Sequence, residues 1–275
     1  MKPLAGKPIK TMEKTPAIEI HNLTASYERK PVLWEIDCQF PQGKLIGIVG
    51  PNGSGKTTLL KNIMGLMRPD SGYIRIFGEK LKDIRHRVSY VPQRESVDWD
   101  FPADVMDVVL MGRYKPNKLF NRLTKEDKDI AVEALTRVNM LEFANRHISQ
   151  LSGGQQQRVF IARSLAQKAD LYLMDEPFVG VDAASEDAIL KLLTEMKNNG
   201  KTVVIVHHDL QTAYEYFDHI ALLNTRLVAS GPAEEVFTSD LLQEAYGGRL
   251  TVLSRIGELI AKKDFPIREK GQEEN

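Results

Sequence analysis

The chain has 275 residues, enough for one large α/β domain carrying an inserted subdomain, and its 37 basic residues balance 37 acidic ones. That zero net charge gives bulk electrostatics no preference for nucleic acid or an anionic membrane. No run approaches the roughly 18 apolar residues of a membrane span, no apolar signal core opens the chain, and the single cysteine, Cys38, has no internal disulfide partner. A reducing cytoplasm is the expected setting, and any membrane path must come from other chains.

Residues 1–16 carry Lys, Pro and Thr with little periodicity and are expected to form a loose tail. Ala17–Leu23 and Val32–Phe40 alternate like half-buried strands, and Cys38 in the second is expected to be a small buried hydrophobe. Lys44–Val49 is an apolar run typical of a buried strand; Thr58–Leu66 follows with helical spacing. Tyr73–Phe77, between Gly72 and Gly78, is a third alternating segment, so three strands suggest a small antiparallel sheet. Further buried strands are expected near 88–91, 171–175 and 203–207. From Arg94 to about Gln150 the pattern is helical, and with the helix that follows the inserted subdomain spans about 94–168. Alternating strands and helices imply a mostly parallel sheet with its ligand at the strands' C-terminal ends. Near the end, Leu250–Ile260 is one apolar segment and Arg268–Asn275 is expected to fray.

Between the buried strand and the helix lies Gly50-Pro51-Asn52-Gly53-Ser54-Gly55-Lys56-Thr57, which fits the phosphate-loop pattern G-x-x-x-x-G-K-[ST] in its required strand–loop–helix context. Glycines let successive N–H groups turn toward phosphate oxygens, and the helix N-terminus adds unpaired donors and partial positive charge. Lys56 would reach the β- and γ-phosphates, Thr57 would ligate Mg²⁺, and Thr58 opens the helix beside them. A nucleoside triphosphate is the expected ligand.

Three further motifs follow in order. Leu151-Ser152-Gly153-Gly154-Gln155-Gln156-Gln157-Arg158 opens a helix, Asp170–Asp175 with Glu176 and Pro177 is an apolar strand ending in two carboxylates, and Val203–Val206 leads into His207-His208-Asp209. In this order they resemble the ATP-binding cassette (ABC) family, in the nucleotide-binding subunits of transporters, over roughly residues 17–240. The resemblance implies a P-loop NTPase core with a mostly parallel sheet, an antiparallel β subdomain and an inserted helical subdomain. A cassette domain over 17–248 and a C-terminal extension over 249–275 are expected.

It also implies roles. Asp175 would hold Mg²⁺, usually through water, and Glu176 would be the general base for the attacking water, although an Asp-Glu-Pro string alone also suits a polar turn. Gln93, in Tyr90-Val-Pro-Gln93, matches the glutamine loop that reaches the Mg²⁺ and the water. The histidine before Asp209, His208, would contact the γ-phosphate, leaving His207 a structural role. A metal site from His207, His208 and Asp209 is disfavoured, because neighbouring residues rarely converge on one ion, and His21, His86, His147 and His219 lack ligand spacing. Tyr27 resembles the aromatic that stacks on adenine, or is an ordinary cross-strand aromatic. Asp182 keeps its family position although Val179-Gly-Val replaces the usual Ser-Ala-Leu. The signature Ser152, Gly153, Gly154 and Gln155 would complete the ATP site of a second copy, making a homodimer with ATP between its subunits.

Val97-Asp-Trp-Asp-Phe-Pro102 and Phe178–Asp182 look like subunits of manganese, zinc and iron importers, which work on the cytoplasmic face of the membrane with a permease and an extracellular metal-binding protein. ATPases of siderophore or haem importers are the nearer alternative, and soluble cassette ATPases acting on ribosomes or DNA the remoter one. The latter usually carry two cassettes or long inserts. Trp99, Phe101 and Met106 are candidates either for a permease-docking patch or for inward packing.

Overall fold

The computed structural model describes residues 15–28, 30–114 and 123–247. Of the tail expected over 1–16, residues 1–14 lie outside the described residues, as do the C-terminal extension and the apolar segment Leu250–Ile260. In chain order the elements are β1 (Ile18–Tyr27), β2 (Lys30–Phe40), β3 (Leu45–Val49), α1 (Lys56–Ile63), β4 (Ser71–Ile76), α2 (Leu81–Ile84), β5 (Val88–Val91), α3 (Val105–Leu110) and α4 (Lys125–Arg137). They continue with α5 (Gly153–Ala166), β6 (Leu171–Asp175), α6 (Ala183–Asn198), β7 (Thr202–Val206), α7 (Leu210–Tyr216), β8 (His219–Asn224), β9 (Arg226–Pro232), α8 (Ala233–Val236) and α9 (Ser239–Tyr246).

Two sheets organise them. β2, β1 and β4 form a three-stranded antiparallel sheet, with Ile18 opposite both Phe40 and Ile76. The central sheet has six strands in the order β5-β6-β7-β3-β8-β9, all parallel except the edge strand β9. Its β3, β6 and β7 are buried at every position, as parallel strands covered on both faces must be.

Period-two alternation divides these strands between two apolar layers. Leu45, Val49, Tyr172, Met174, Val203 and Ile205 face one core, shared with α3–α9. Ile46, Ile48, Leu171, Leu173, Val204 and Val206 face the other, shared with α1 and the antiparallel sheet. Cys38 is half-buried against this second layer, and burial pushes its thiol up to about 12, away from thiolate chemistry. α3, α4 and α5 pack on one another as the helical subdomain, with α3 capped by Asp104 and Asp107 and α4 by Thr124 and Asp127.

β8 and β9 were not anticipated. Ile220-Ala-Leu-Leu223 is too short for its period to distinguish strand from helix, and only pairing with β3 makes it a strand. The consequence for the site is direct, because the β8–β9 turn backs the phosphate loop. The Thr225 N–H donates to Ser54 O at 2.9 Å, and the Trp34 N–H donates to Thr225 O at 2.8 Å.

Candidate active site

The loops following β3, β5, β6 and β7 meet at the C-terminal edge of the central sheet around a cleft of about 550 Å³. Asn52, Gly53, Ser54, Gly55, Lys56, Thr57, Thr58, Gln93, Glu176 and His208 line it, together with Val32 and Val179. Val32 was read in the sequence only as a strand residue and Val179 only as part of the Phe178–Asp182 segment, and neither was assigned to the nucleotide site.

Glycine is required at both ends of the phosphate loop. At Gly50 a Cβ would collide with the carbonyl oxygen of Leu223 in β8. Gly55 takes φ +99°, and a Cβ there would stand 2.6 Å from Leu33 Cδ2 and 2.9 Å from Val32 O. As the N-cap of α1, Gly55 offers no side chain to the first-turn N–H groups, which suits them to an anion. Lys56 is buried and its Nζ donates to Gly50 O at 2.8 Å and Pro51 O at 3.0 Å. Burial lowers its pKa, opposed by the negative charge of Glu176 and Asp175.

Asp175 ends β6 completely buried beneath the loop. Its Oδ1 accepts from the Thr57 hydroxyl at 3.0 Å, while Oδ2 has no hydrogen-bond partner among the described residues. Burial, reinforced by the Glu176 charge, raises its carboxyl to about 6. A buried, unsatisfied carboxylate oxygen beside a hydroxyl is a poor arrangement for the protein alone and a good fit to a small, hard cation with oxygen ligands. Thr57 and Asp175 therefore fit Mg²⁺.

Glu176 follows with φ +51°, a left-handed backbone costing on the order of 1 kcal/mol or more in a non-glycine residue. In a continued strand consecutive side chains would point to opposite faces, whereas this turn leaves Glu176 lining the cleft above Asp175. Its N–H is held by Val206 O at 3.2 Å, and its Oε2 accepts from Gln93 Nε2 at 3.2 Å.

The two histidines separate sharply. His208 is exposed and lines the cleft. His207 is buried, with Nε2 2.7 Å from Thr212 Oγ1 and its ring edge-on to Phe178 and Phe217, and desolvation lowers its pKa to about 4. Among the described residues no cluster of three or more His, Cys, Asp or Glu could hold a metal ion.

Ser152–Gln155 and Asp182 do not line the cleft. Ser152 caps α5 in a reciprocal box with Gln155, which places an exposed helix N-terminus elsewhere on the surface. Asp182 caps α6 and accepts from Ser185 N at 3.0 Å and Ser185 Oγ at 2.8 Å, bonds that lower its pKa. Tyr27 ends β1 and is 48% exposed, outside the residues that line the cleft. Trp99 is half-buried, its ring edge-on to Phe160 at 5.0 Å, and Met106 also packs against the core, whereas Phe101 remains 45% exposed. No helix among the described residues is long and apolar enough to cross a membrane.

Comparison with known proteins places the chain among relatives of one family. The sequence profile of a family described as "ABC transporter" matches residues 33–179. The manganese transport system ATP-binding protein MntB of Bacillus subtilis is 60% identical over 86% of this chain and 94% of its own length. The zinc transport system ATP-binding protein TroB of Treponema pallidum is 54% identical over 86% of this chain and 88% of its own. Among solved structures, an ATP-binding cassette dimer in a post-hydrolysis state bound to ADP and phosphate superposes with a TM-score of 0.69 at 29% identity, covering 78% of this chain and 98% of that one.

Proposed function

The chain belongs to the ABC transporter family as an ATP-hydrolysing subunit, and on that premise we propose that it powers an importer of divalent metal ions, manganese or zinc. The cargo rests on likeness: the two relatives carry manganese and zinc in their names, and neither names iron. The convergence of the phosphate loop, the Thr57–Asp175 pair and the Gln93–Glu176 pair on one cleft is the observation that best supports ATP hydrolysis as its means.

In this proposal backbone N–H groups of residues 50–58 cradle the phosphates, and Lys56 swings from the Gly50 and Pro51 carbonyls to the β- and γ-phosphates. Thr57 and Asp175 would hold Mg²⁺, which would supply neutralisation of the phosphate charge. Glu176 accepts the proton of the attacking water, oriented by the Gln93 amide, and His208 contacts the γ-phosphate from the rim. Tyr27 stacks on the adenine.

Ser152–Gln155 lies away from its own cleft and so serves the γ-phosphate in the partner subunit's site, with Asp182 facing the same interface. ATP then joins two copies, and hydrolysis removes the contact that holds them closed. Membrane permease subunits and, indirectly, an extracellular metal-binding protein complete the importer, and this chain works at the cytoplasmic face.

Uptake of radioactive manganese, zinc and iron in cells lacking this chain tests the cargo. Loss of manganese or zinc uptake, restored by the wild-type chain and not by Glu176→Gln, is expected. Unchanged uptake of both would overturn the assignment.

A further inference from the structure

Gln93 and Arg94 are neighbours in sequence whose side chains serve different sites. Gln93 donates to Glu176 Oε2, while the Arg94 guanidinium donates through Nε and Nη2 to Gln156 Oε1, each at 3.2 Å. Gln93 has extended backbone, φ −60° and ψ 137°, a conformation that sends successive side chains to opposite sides. One dipeptide thus touches the catalytic carboxylate on one side and helix α5, which carries the signature motif, on the other.

Several contacts hold this joint in one geometry. Gln156 is only 3% exposed, and its amide donates to Ile148 O at 3.2 Å, which leaves the amide oxygen for Arg94. A Cβ on Gly153 would stand 2.9 Å from Arg94 Cζ, so the guanidinium lies directly against the signature backbone. The indole Nε1 of Trp99 donates to Arg94 O at 2.9 Å, and its ring meets Phe160 of α5. The Arg94 charge also lies 6.0 Å from the Trp99 ring centroid. The joint therefore combines two guanidinium N–H donors converging on one amide oxygen with an aromatic clamp behind them.

We propose that Arg94 is a positioning residue that couples the two ATP sites of the dimer. By tying the Gln93 loop to Gln156, it makes the signature motif offered to the partner subunit follow the state of Glu176 in its own site. When Gln93 shifts with Glu176, Arg94 moves with it, because a single peptide unit separates them. This rests on the two-subunit reading above, which the experiment tests separately.

The experiment measures ATP-driven dimerisation by size exclusion in the Glu176→Gln background, and in parallel the affinity of the free subunit for a fluorescent ATP analogue. Adding Arg94→Ala is expected to raise the ATP concentration for half-dimerisation by roughly tenfold, the worth of one charge-assisted hydrogen bond, with single-subunit affinity within about twofold. Arg94→Lys, which keeps the charge and loses the fork, should fall between. The exchanged pair Arg94→Gln with Gln156→Arg should recover dimerisation, which a loss of general stability would not permit, and it decides the matter if Arg94→Ala folds poorly. Dimerisation unchanged by Arg94→Ala, or no recovery in a folded exchanged pair, overturns the joint while leaving the two-subunit reading intact. A Glu176→Gln protein that stays monomeric at saturating ATP overturns both.

Discussion

The Thr57 hydroxyl and Asp175 Oδ1 lie 3.0 Å apart although 118 residues separate them in sequence, and the other Asp175 oxygen is buried without a partner among the described residues. The pair is costly to the free subunit and suited to a cation. Asp175→Asn should therefore reduce Mg²⁺-dependent turnover on the order of 10–100-fold, the usual loss when a metal's outer shell is damaged. A Mg²⁺ titration of ATPase activity reads it: a half-saturating concentration equal to wild type would remove Asp175 from the metal site.

Glu176→Gln keeps the hydrogen-bonding shape beside Gln93 but cannot take a proton from water. ATP binding should persist while turnover falls at least about 100-fold, the lower bound for losing a general base. An ATP-bound dimer should accumulate. Near-wild-type hydrolysis would assign the base elsewhere.

The histidines should part company in both activity and stability. His208→Ala, at the cleft, should abolish most ATPase activity and transport; His207→Ala should cost far less. The reverse ranking would shift the γ-phosphate contact to His207.

His207 also sets a pH dependence. Its folded pKa of about 4 lies below the ordinary 6.5, so between these values the unfolded chain binds a proton that the folded chain refuses. Its share of stability is present above pH 6.5 and is lost as pH falls toward 4, by roughly 3 kcal/mol at full extent. His207→Gln, which cannot titrate, should flatten the fall in melting temperature between pH 7 and pH 5. An unchanged slope would show that His207 does not carry it.

Trp99 and Phe101, two residues apart, should fail differently. Trp99 is clamped between Arg94 O and Phe160, so Trp99→Ala should cost about 2 kcal/mol of stability, less than the 3–5 of a fully buried aromatic. Phe101 is 45% exposed, and Phe101→Ala should leave the melting temperature of the isolated subunit unchanged while lowering permease-stimulated ATPase activity. A large drop in melting temperature for Phe101→Ala would place it in the core and remove it from docking.

Much of this protein was legible in its sequence because the relevant chemistry is local. A phosphate loop is made of contiguous backbone N–H groups and the glycines that turn them, so residues 50–57 specify it without reference to the rest of the chain. The uninterrupted apolar runs of β3, β6 and β7 likewise announce strands covered on both faces. The order of the motifs resembled the ABC family strongly enough to imply roles for Gln93, Asp175, Glu176 and His208.

What sequence could not supply depends on contacts between distant segments. Neither the β8–β9 turn behind Ser54 nor the Arg94–Gln156 fork has a local signature, since each is defined by a partner from another part of the chain. Only packing separates buried His207 from exposed His208, or clamped Trp99 from open Phe101, because burial is a property of the neighbours and not of the residue. The two carboxylates show both limits at once. Their types are written in the sequence, but their sharing of one site comes from a left-handed turn at Glu176 that β7 holds through Val206 O. That backbone conformation is unfavourable in isolation, and so the tertiary structure must impose it.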